Sequence, residues 1–310
     1  MSAGNRKNPT RAASSESDYS LIEFMREFPD DETCLEWLWR NRFSEDGIHA
    51  HCPKCDTTRE FKRYETKQQR QSWTCNGCGH HIHPTAGTIF HKSSTSLHLW
   101  FYAMYLMTST RCGISAKQLE RELGVTYKTA FRMARLIRSE LMTQDDAPLG
   151  KTVEADETYV GGRRRGTRRG RPGPESHKTP VFGIVERKGR VKAVTVANVK
   201  KVTLLPIIQT HVIPASTVYT DELKSYATLN KEGFNHDSVN HSEQVYVSGD
   251  VHVNTVEGFW SLVKRGIDGV YHSVSRKHLQ GYLNEYVWRY NHRGTGRGQF
   301  QSLLLRVVGS

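Results

Sequence analysis

Apolar positions in the first half of the chain recur at helical spacing. "SLIEFMREF" (20–28) reads as a short helix. After Pro29, "DDETCLEWLWRNRF" sets Leu35, Leu38 and Trp39 on one face behind capping Asp residues, with Cys34 as a small core residue. "LHLWFYAMYLM" (97–107) is an apolar, aromatic helix. In "SAKQLERELGVTYKTAFRMARLIRSEL" (115–141), Ser115 can cap a helix with Leu119 and Leu123 inward. Gly124 makes a turn, and Thr126 caps a basic helix whose apolar face is Phe131, Ala134 and Ile137. This is a helix-turn-helix pattern. "TQDDAPLGK" (143–151) is a linker by composition, and beyond it the period changes. "TVEADETYV" alternates as a strand. "TPVFGIVER" and "VKAVTVANV" are two more, joined by the short turn "KGR". "TLLPIIQTHV" reads as a helix with an interior Pro206, and "STVYTDEL" as a fourth strand ending in acidic residues. A helix follows from about Asn254 to Arg265. "RKHLQGYLNEYVWRYNHR" closes as another, its face formed by Leu279, Tyr282, Leu283, Tyr286, Val287 and Tyr290. Three strands, a helix, a strand and then helices predict an α/β class: a mixed sheet flanked by helices.

Composition sharpens this picture in two ways. The 310 residues carry a net charge of +12, with the arginines clustered, which points to a polyanionic partner such as nucleic acid. The polar first 17 residues read as a disordered tail and hold no apolar stretch of the secretory kind. The longest apolar run, 97–107, is too short to span a bilayer. The expectation is an intracellular, cytoplasmic protein with no membrane partner. In a reducing compartment, CxxC pairs favour metal over disulfide.

Four of the six cysteines form such pairs: Cys52-x2-Cys55-x19-Cys75-x2-Cys78. Four thiolates on two knuckles close a tetrahedral Zn²⁺ site with no open position, a structural site of zinc-ribbon spacing. His80, His81 and His83 lie nearby as alternative ligands. On the second helix of the helix-turn-helix, Lys128, Arg132 and Arg135 share a face suited to DNA phosphates, and Arg138 follows them. "GGRRRGTRRGRPGPESH" (161–177) adds Arg163, Arg164, Arg165, Arg168 and Arg169 in a Gly- and Pro-rich loop, expected to contact DNA through charge.

Three carboxylates stand where a mixed sheet can bring them together. Asp156 is expected at the end of the first strand, Asp221 at the end of the fourth, and Glu257 on the later helix, with Lys264 two turns further along the same face. Such a set can hold two divalent cations, Mg²⁺ or Mn²⁺, for in-line phosphoryl transfer, with the Lys gripping a phosphate. Asn254-x-x-Glu257 is also a capping box, with Asn254 at the N-cap; both readings can hold together.

These blocks carry a resemblance. "VEADETYVGG", "VYTDELKSY" and "HVNTVEGFWSLVKRGIDGVYHSVSRKHLQGYLNEYVWRYNHR" resemble the catalytic blocks of ISXO-type insertion-sequence transposases, which are DDE transposases bearing a zinc ribbon. "CPKC", "CNGC" and "TAGTIFHKSSTSLHLWFYAMYL" resemble their N-terminal half. The resemblance implies an RNase H-like catalytic domain, divalent metal, and DNA cleavage and strand transfer at element ends. Asp156 and Asp221 match the family's first two acidic positions, and Lys264 the basic residue that follows. The third position is described with Asn in some members. Both Asn254 and Glu257 are present here; carboxylate chemistry favours Glu257, with Asn254 as an alternative ligand. Expected partners are double-stranded DNA, as terminal repeats and as target, and further copies of the chain in a dimer or larger assembly on DNA, associated with the nucleoid. Domains are expected at 1–17 (tail), 18–93 (N-terminal helices and zinc ribbon), 94–142 (helix-turn-helix), 150–296 (RNase H-like catalytic domain) and 297–310 (tail). A regulator with an inert RNase H-like domain, or a nuclease without strand transfer, would share most of these features.

Overall fold

In the computed structural model, residues 19–65, 71–110, 112–161, 178–239, 252–294 and 298–309 are described. The chain divides into two compact units, Met1–Ser109 with His292–Ser310, and Thr110–Asn291.

The first unit begins with α1 (Leu21–Glu27) and α2 (Asp31–Arg42), capped by Ser20 and Asp30. An antiparallel sheet follows in the order β1-β2-β3-β4: β1 (His49–Cys52), β2 (Thr57–Glu65), β3 (Gln71–Cys75) and β4 (His81–Ile82). Trp39 of α2 stacks on Trp73 of β3 with ring centroids 4.8 Å apart, and Leu35, Phe61 and Ile82 complete that small core. Phe24 of α1 and Phe101 of α3 (Leu97–Ser109) belong to a separate aromatic cluster. Phe300 joins them, from a segment expected to be a tail. Residues Gly298–Val308 instead form α9, because Phe300, Leu303, Leu304 and Val307 recur at helical spacing and are all buried.

The second unit opens with α4 (Ala116–Leu123) and α5 (Tyr127–Leu136). Gly124 turns between them at φ 62°, a backbone region that favours glycine. The hydroxyls of Ser115 and Thr126 accept the expected cap bonds. A π-helical turn, Ile137–Leu141, continues α5. The segment expected as a linker is packed. Leu149 is fully buried, and the Gln144 side chain both donates to and accepts from the Ala193 backbone, as a further strand would.

Five strands form the sheet: β5 (Thr152–Val160), β6 (Thr179–Glu186), β7 (Val191–Thr195), β8 (Thr217–Thr220) and β9 (Asn235–Ser238), in the order β7-β6-β5-β8-β9. β5, β6 and β7 are antiparallel neighbours. α6 (Lys201–His211) then leads to β8, which pairs parallel with β5 and with β9. This mixed order, with helices on both faces, is the RNase H-like fold. The edge strand β9 was not anticipated, since "NHDS" offers no apolar alternation. α6 covers one face through Leu204 and Ile208. α7 (Asn254–Gly266) and α8 (Leu279–Asn291) cover the other through Val256, Phe259, Trp260, Val263, Leu283 and Tyr286.

Two close approaches fix α7. Gly183 of β6 sits opposite Asp156, and a Cβ there would lie 2.5 Å from Trp260 Cζ2, so the indole rests directly on the strand. The helix start is held by a buried acid. Glu154 of β5, fully buried, accepts from Thr255 N (2.7 Å), Val256 N (3.1 Å) and Thr255 Oγ1 (2.8 Å). Arg187 Nε also donates to Glu154 (2.7 Å), and Arg187 Nη2 to the His252 carbonyl (3.0 Å). The capping box read from the sequence is therefore not formed. The N-cap position is Val253, no cap side chain bonds there, and exposed Asn254 is the first helical residue. The Glu257 amide that Asn254 was expected to satisfy bonds the Val253 carbonyl (3.1 Å), and Glu154 takes the Thr255 and Val256 amides.

Replacing Glu154 by Ala should therefore leave Arg187 and two helix amides without their partner. The expected loss is on the order of 3–5 kcal/mol of unfolding free energy, measured by denaturant melting. A loss below about 1 kcal/mol, the range of exposed ion pairs, would refute the role given to this contact.

Candidate active site and metal centres

Register explains how two acids distant in sequence meet. β5 pairs with β8 as Glu154 opposite Tyr219, so two residues further on Asp156 draws level with Asp221. Asp156 is mid-strand rather than at the end of β5. It stands just past the paired portion of β8, where the β5–β6 hairpin runs on alone. Asp221 follows β8 directly and turns its carboxylate to the Leu223 amide (3.1 Å).

The third member of the cluster is Glu157. Single oxygens of Asp156, Glu157 and Asp221 all lie within 4.8 Å of one another. Glu157 accepts a hydrogen bond from the buried Tyr226 hydroxyl (2.8 Å). The sequence put Asp156 first and left Glu157 as a neighbour that could be confused with it, since adjacent strand residues point to opposite faces; here both reach one point. Glu257 lies outside that cluster but borders the same cleft, an opening of about 860 Å³ also lined by Asp156, Glu157, Trp260, Ser261 and Lys264. Asn254 is not among its lining residues.

The acids of the cluster oppose one another's ionisation. Burial first, then the charges of Glu157, Asp221 and Glu257, push the Asp156 carboxyl up to about 8. All the donors are hard oxygens, the set preferred by Mg²⁺ or Mn²⁺. Lys264 extends into the cleft from two turns beyond Glu257.

In the first unit the sulfurs of Cys52, Cys55, Cys75 and Cys78 also lie within 4.8 Å of one another, and none is in a disulfide. Cys52 and Cys78 are 3.6 Å apart and Cys55 and Cys75 3.9 Å. A tetrahedron with Zn–S bonds of about 2.3 Å has edges of about 3.8 Å, so the set fits one zinc ion. No His joins it among the described residues; His81 instead bonds Thr74 (2.8 Å).

Of the residues expected to meet DNA, Lys128 and Arg135 are exposed on α5 and Arg132 is half-buried. Arg138 is buried and paired with Glu285 (2.7 Å), so it supports the fold rather than a surface. Arg163, Arg164, Arg165, Arg168 and Arg169 lie outside the described residues. Among the described residues no helix is long and apolar enough to cross a membrane.

Comparison with known proteins gives concordant findings. Residues 148–291 match the family model described as the ISXO2-like transposase domain. The chain is 31% identical over 270 residues to a protein in transposable element ISH50 of Halobacterium salinarum, covering 81% of this chain and 86% of that one. It is 37% identical over 123 residues to a transposase-like protein of Haemophilus influenzae, covering 40% of this chain and 98% of that one. Among solved structures, the mariner Mos1 paired-end complex with Mg is 13% identical, covers 65% of this chain and 75% of that one, and has a TM-score of 0.27. A likeness of that size adds nothing to the strand order described above.

Two measurements check the centres. Zinc analysis should find about one ion per chain, and Cys75→Ser should lose it together with the melting transition of the ribbon; a full zinc content in Cys75→Ser would exclude the four-thiolate site. For Asp156, the raised folded value means that the folded state keeps a proton which the unfolded state, near 3.8, gives up. The metal-free protein should therefore lose stability as pH rises from about 4 through about 8. Asp156→Asn should flatten that decline, and Mn²⁺ should raise the wild-type melting temperature but not that of Asp156→Asn. A wild-type curve that climbs steadily over this range would contradict the crowding of the acids.

Proposed function

The chain belongs to the ISXO2-like transposase family, and from that premise we propose that it cleaves DNA at the ends of an insertion sequence and joins those ends to target DNA in a metal-dependent reaction. The observation that carries this reading is the cluster of Asp156, Glu157 and Asp221, with Asp156 raised to about 8 and Lys264 in the same cleft.

Asp156 and Asp221 are the proposed principal metal ligands, Glu157 the third, and Glu257 a ligand or proton acceptor at the helix side of the cleft. Divalent cations held there would stabilise the attacking and leaving oxygens of an in-line displacement. The residues themselves do the positioning. Tyr226 holds one Glu157 oxygen and so aims the other. Lys264 places a positive charge on the cleft wall, where a DNA phosphate would lie. The wall itself is kept in place by Trp260 resting on Gly183. In the first step a water oxygen attacks phosphorus and the P–O3′ bond breaks, leaving a 3′-hydroxyl on the element end. In the second, that hydroxyl attacks a target phosphodiester and displaces another 3′-oxygen. The number of covalent bonds is conserved in the second step, so one site can serve both.

The zinc ribbon and the helix pair bearing Lys128 and Arg132 are the proposed contacts to terminal repeats, with Arg163, Arg164, Arg165, Arg168 and Arg169 assisting. Two ends must be joined, so a dimer or larger assembly on DNA is part of the proposal, as is action on the nucleoid in the cytoplasm.

The test is strand transfer: purified protein, Mg²⁺, a labelled duplex carrying the element end, and a supercoiled plasmid. Wild type should give joined product. Asp156→Asn, Asp221→Asn and Glu257→Gln should each lower its rate by at least about 10³-fold, a barrier increase of about 4 kcal/mol. Glu157→Gln should act through metal affinity and recover in part at high Mn²⁺, and Asn254→Ala should lose little. Cutting without joining would make the protein a nuclease, and binding without cutting a regulator; either outcome overturns the proposal.

A further inference from the structure

The basic face of α5 does not end at α5. Where its last turn meets the start of α8 there is a cavity of about 310 Å³, lined by Phe131, Arg135 and Ser139 on one side and Lys277, His278 and Tyr282 on the other. No carboxylate lines it. Arg135 and Lys277 are exposed and have no ion-pair partner among the described residues. Beneath it the Arg138 guanidinium lies 4.2 Å from the Tyr282 ring centroid and is paired with Glu285, which also takes Arg289 at 2.8 Å. One carboxylate thus faces two guanidinium groups, and the floor retains net positive charge. The Phe131 ring meets His278 edge to face at 5.4 Å, which joins the two walls.

A pocket with cationic rims, no acid and aromatic sides fits an anion that carries apolar substituents. A bare phosphate would leave most of 310 Å³ empty. A phosphodiester with its two sugars would set its charge between Arg135 and Lys277 and its sugar carbons against Phe131 and Tyr282. The long DNA backbone is the occupant that matches both the charge and the position, because the cavity continues the face bearing Lys128 and Arg132 on the same helix. We propose that this cavity between α5 and α8 holds one backbone phosphate of bound duplex DNA, with Arg135 and Lys277 as its ligands. Arg135, already expected to meet DNA phosphates, thereby becomes half of a clamp whose other half belongs to the start of α8. Lys277 is a DNA-binding residue that neither helix periodicity nor family resemblance had indicated. The inference rests on the DNA reading above, and it adds a contact between the helix pair and the layer that carries Glu257.

The test is duplex binding by fluorescence anisotropy across a salt series, with the full chain and Ca²⁺ in place of Mg²⁺ to prevent cutting. Lys277→Gln and Arg135→Gln should each lower affinity, equally for duplexes with and without the element end. Each should reduce the slope of log K against log salt, and the double variant should reduce it by about 0.9 in total, the share of one phosphate. Because both grip one phosphate, the double variant should lose less than the product of the single losses. Unchanged melting temperatures show that the cavity walls still fold. An unaltered slope in Lys277→Gln, or strictly multiplicative losses in the double variant, would overturn the shared phosphate while leaving the transposase reading intact. Wild type that binds no duplex at all would instead remove the reading on which this inference rests.

Discussion

The active end of the sheet depends on how one buried carboxylate is satisfied. Glu154 is fully buried at the centre of the sheet, yet it accepts four hydrogen bonds: two from α7 amides, one from the Thr255 hydroxyl and one from the Arg187 guanidinium. Arg187 in turn lies 4.7 Å from the ring centroid of Tyr219 on β8. One charge therefore ties β5, the end of β6, β8 and the start of α7 together. These are the elements that present Asp156, Asp221 and Glu257. A buried ion is worth little to stability against a well-packed apolar replacement, but losing one partner is costly. Its value here is positional, since the helix dipole and two amides accept the charge in only one orientation of α7.

Two residues further along the same strand face, Asp156 has the opposite environment. Glu154 is surrounded by donors; Asp156 is driven up to about 8 by burial first and then by the charges of Glu157, Asp221 and Glu257. The contrast is consistent with the metal-dependent site proposed above. Uncompensated charge can persist only where neighbouring structure resists its relaxation, and the satisfied Glu154 supplies that resistance. In the proposed function the crowded acids would be stabilised by a cation rather than by the protein.

Much of this was legible in the chain. The two CxxC pairs, the strand–helix order and the Ser115–Gly124–Thr126 punctuation each depend on residues near one another in sequence, and all appear as expected. What escaped reading depends on distant partners. Val153-Glu154-Ala155 shows an acid at an inward position, which signals a buried pair, but Arg187 and Thr255 could not be named from the pattern. The Asn254-x-x-Glu257 spacing satisfied the local rule for a capping box and failed because the helix begins at Asn254 itself: the Glu257 amide bonds the Val253 carbonyl, and nonlocal Glu154 takes the Thr255 and Val256 amides. β9 was missed because an edge strand paired through its backbone needs no apolar alternation. The segment 143–151 resembled a linker because its packing uses Gln144 and Asp145 rather than an apolar run.

The helix pair also has a different standing from the one its motif suggests. A helix-turn-helix is often pictured as a reading head on a tether. Here Arg138, in the π-helical turn that ends α5, is buried against Glu285 of α8, and Tyr271 donates to the same carboxylate at 3.0 Å. Arg289 shares Glu285 and reaches back to the Thr110 carbonyl just before α4. The motif is thus closed at both ends onto the helix layer that covers the catalytic sheet. Breaking such a buried pair costs several kcal/mol, so the helices cannot swing away without disturbing α8. A DNA segment bound to α5 as proposed would be held at a fixed place relative to α8, and α8 packs on α7, where a Cβ at Gly266 would collide with Tyr286. On the proposed reading, recognition and cleavage geometry would be set by the same packing, and a substitution at Glu285 would alter both at once.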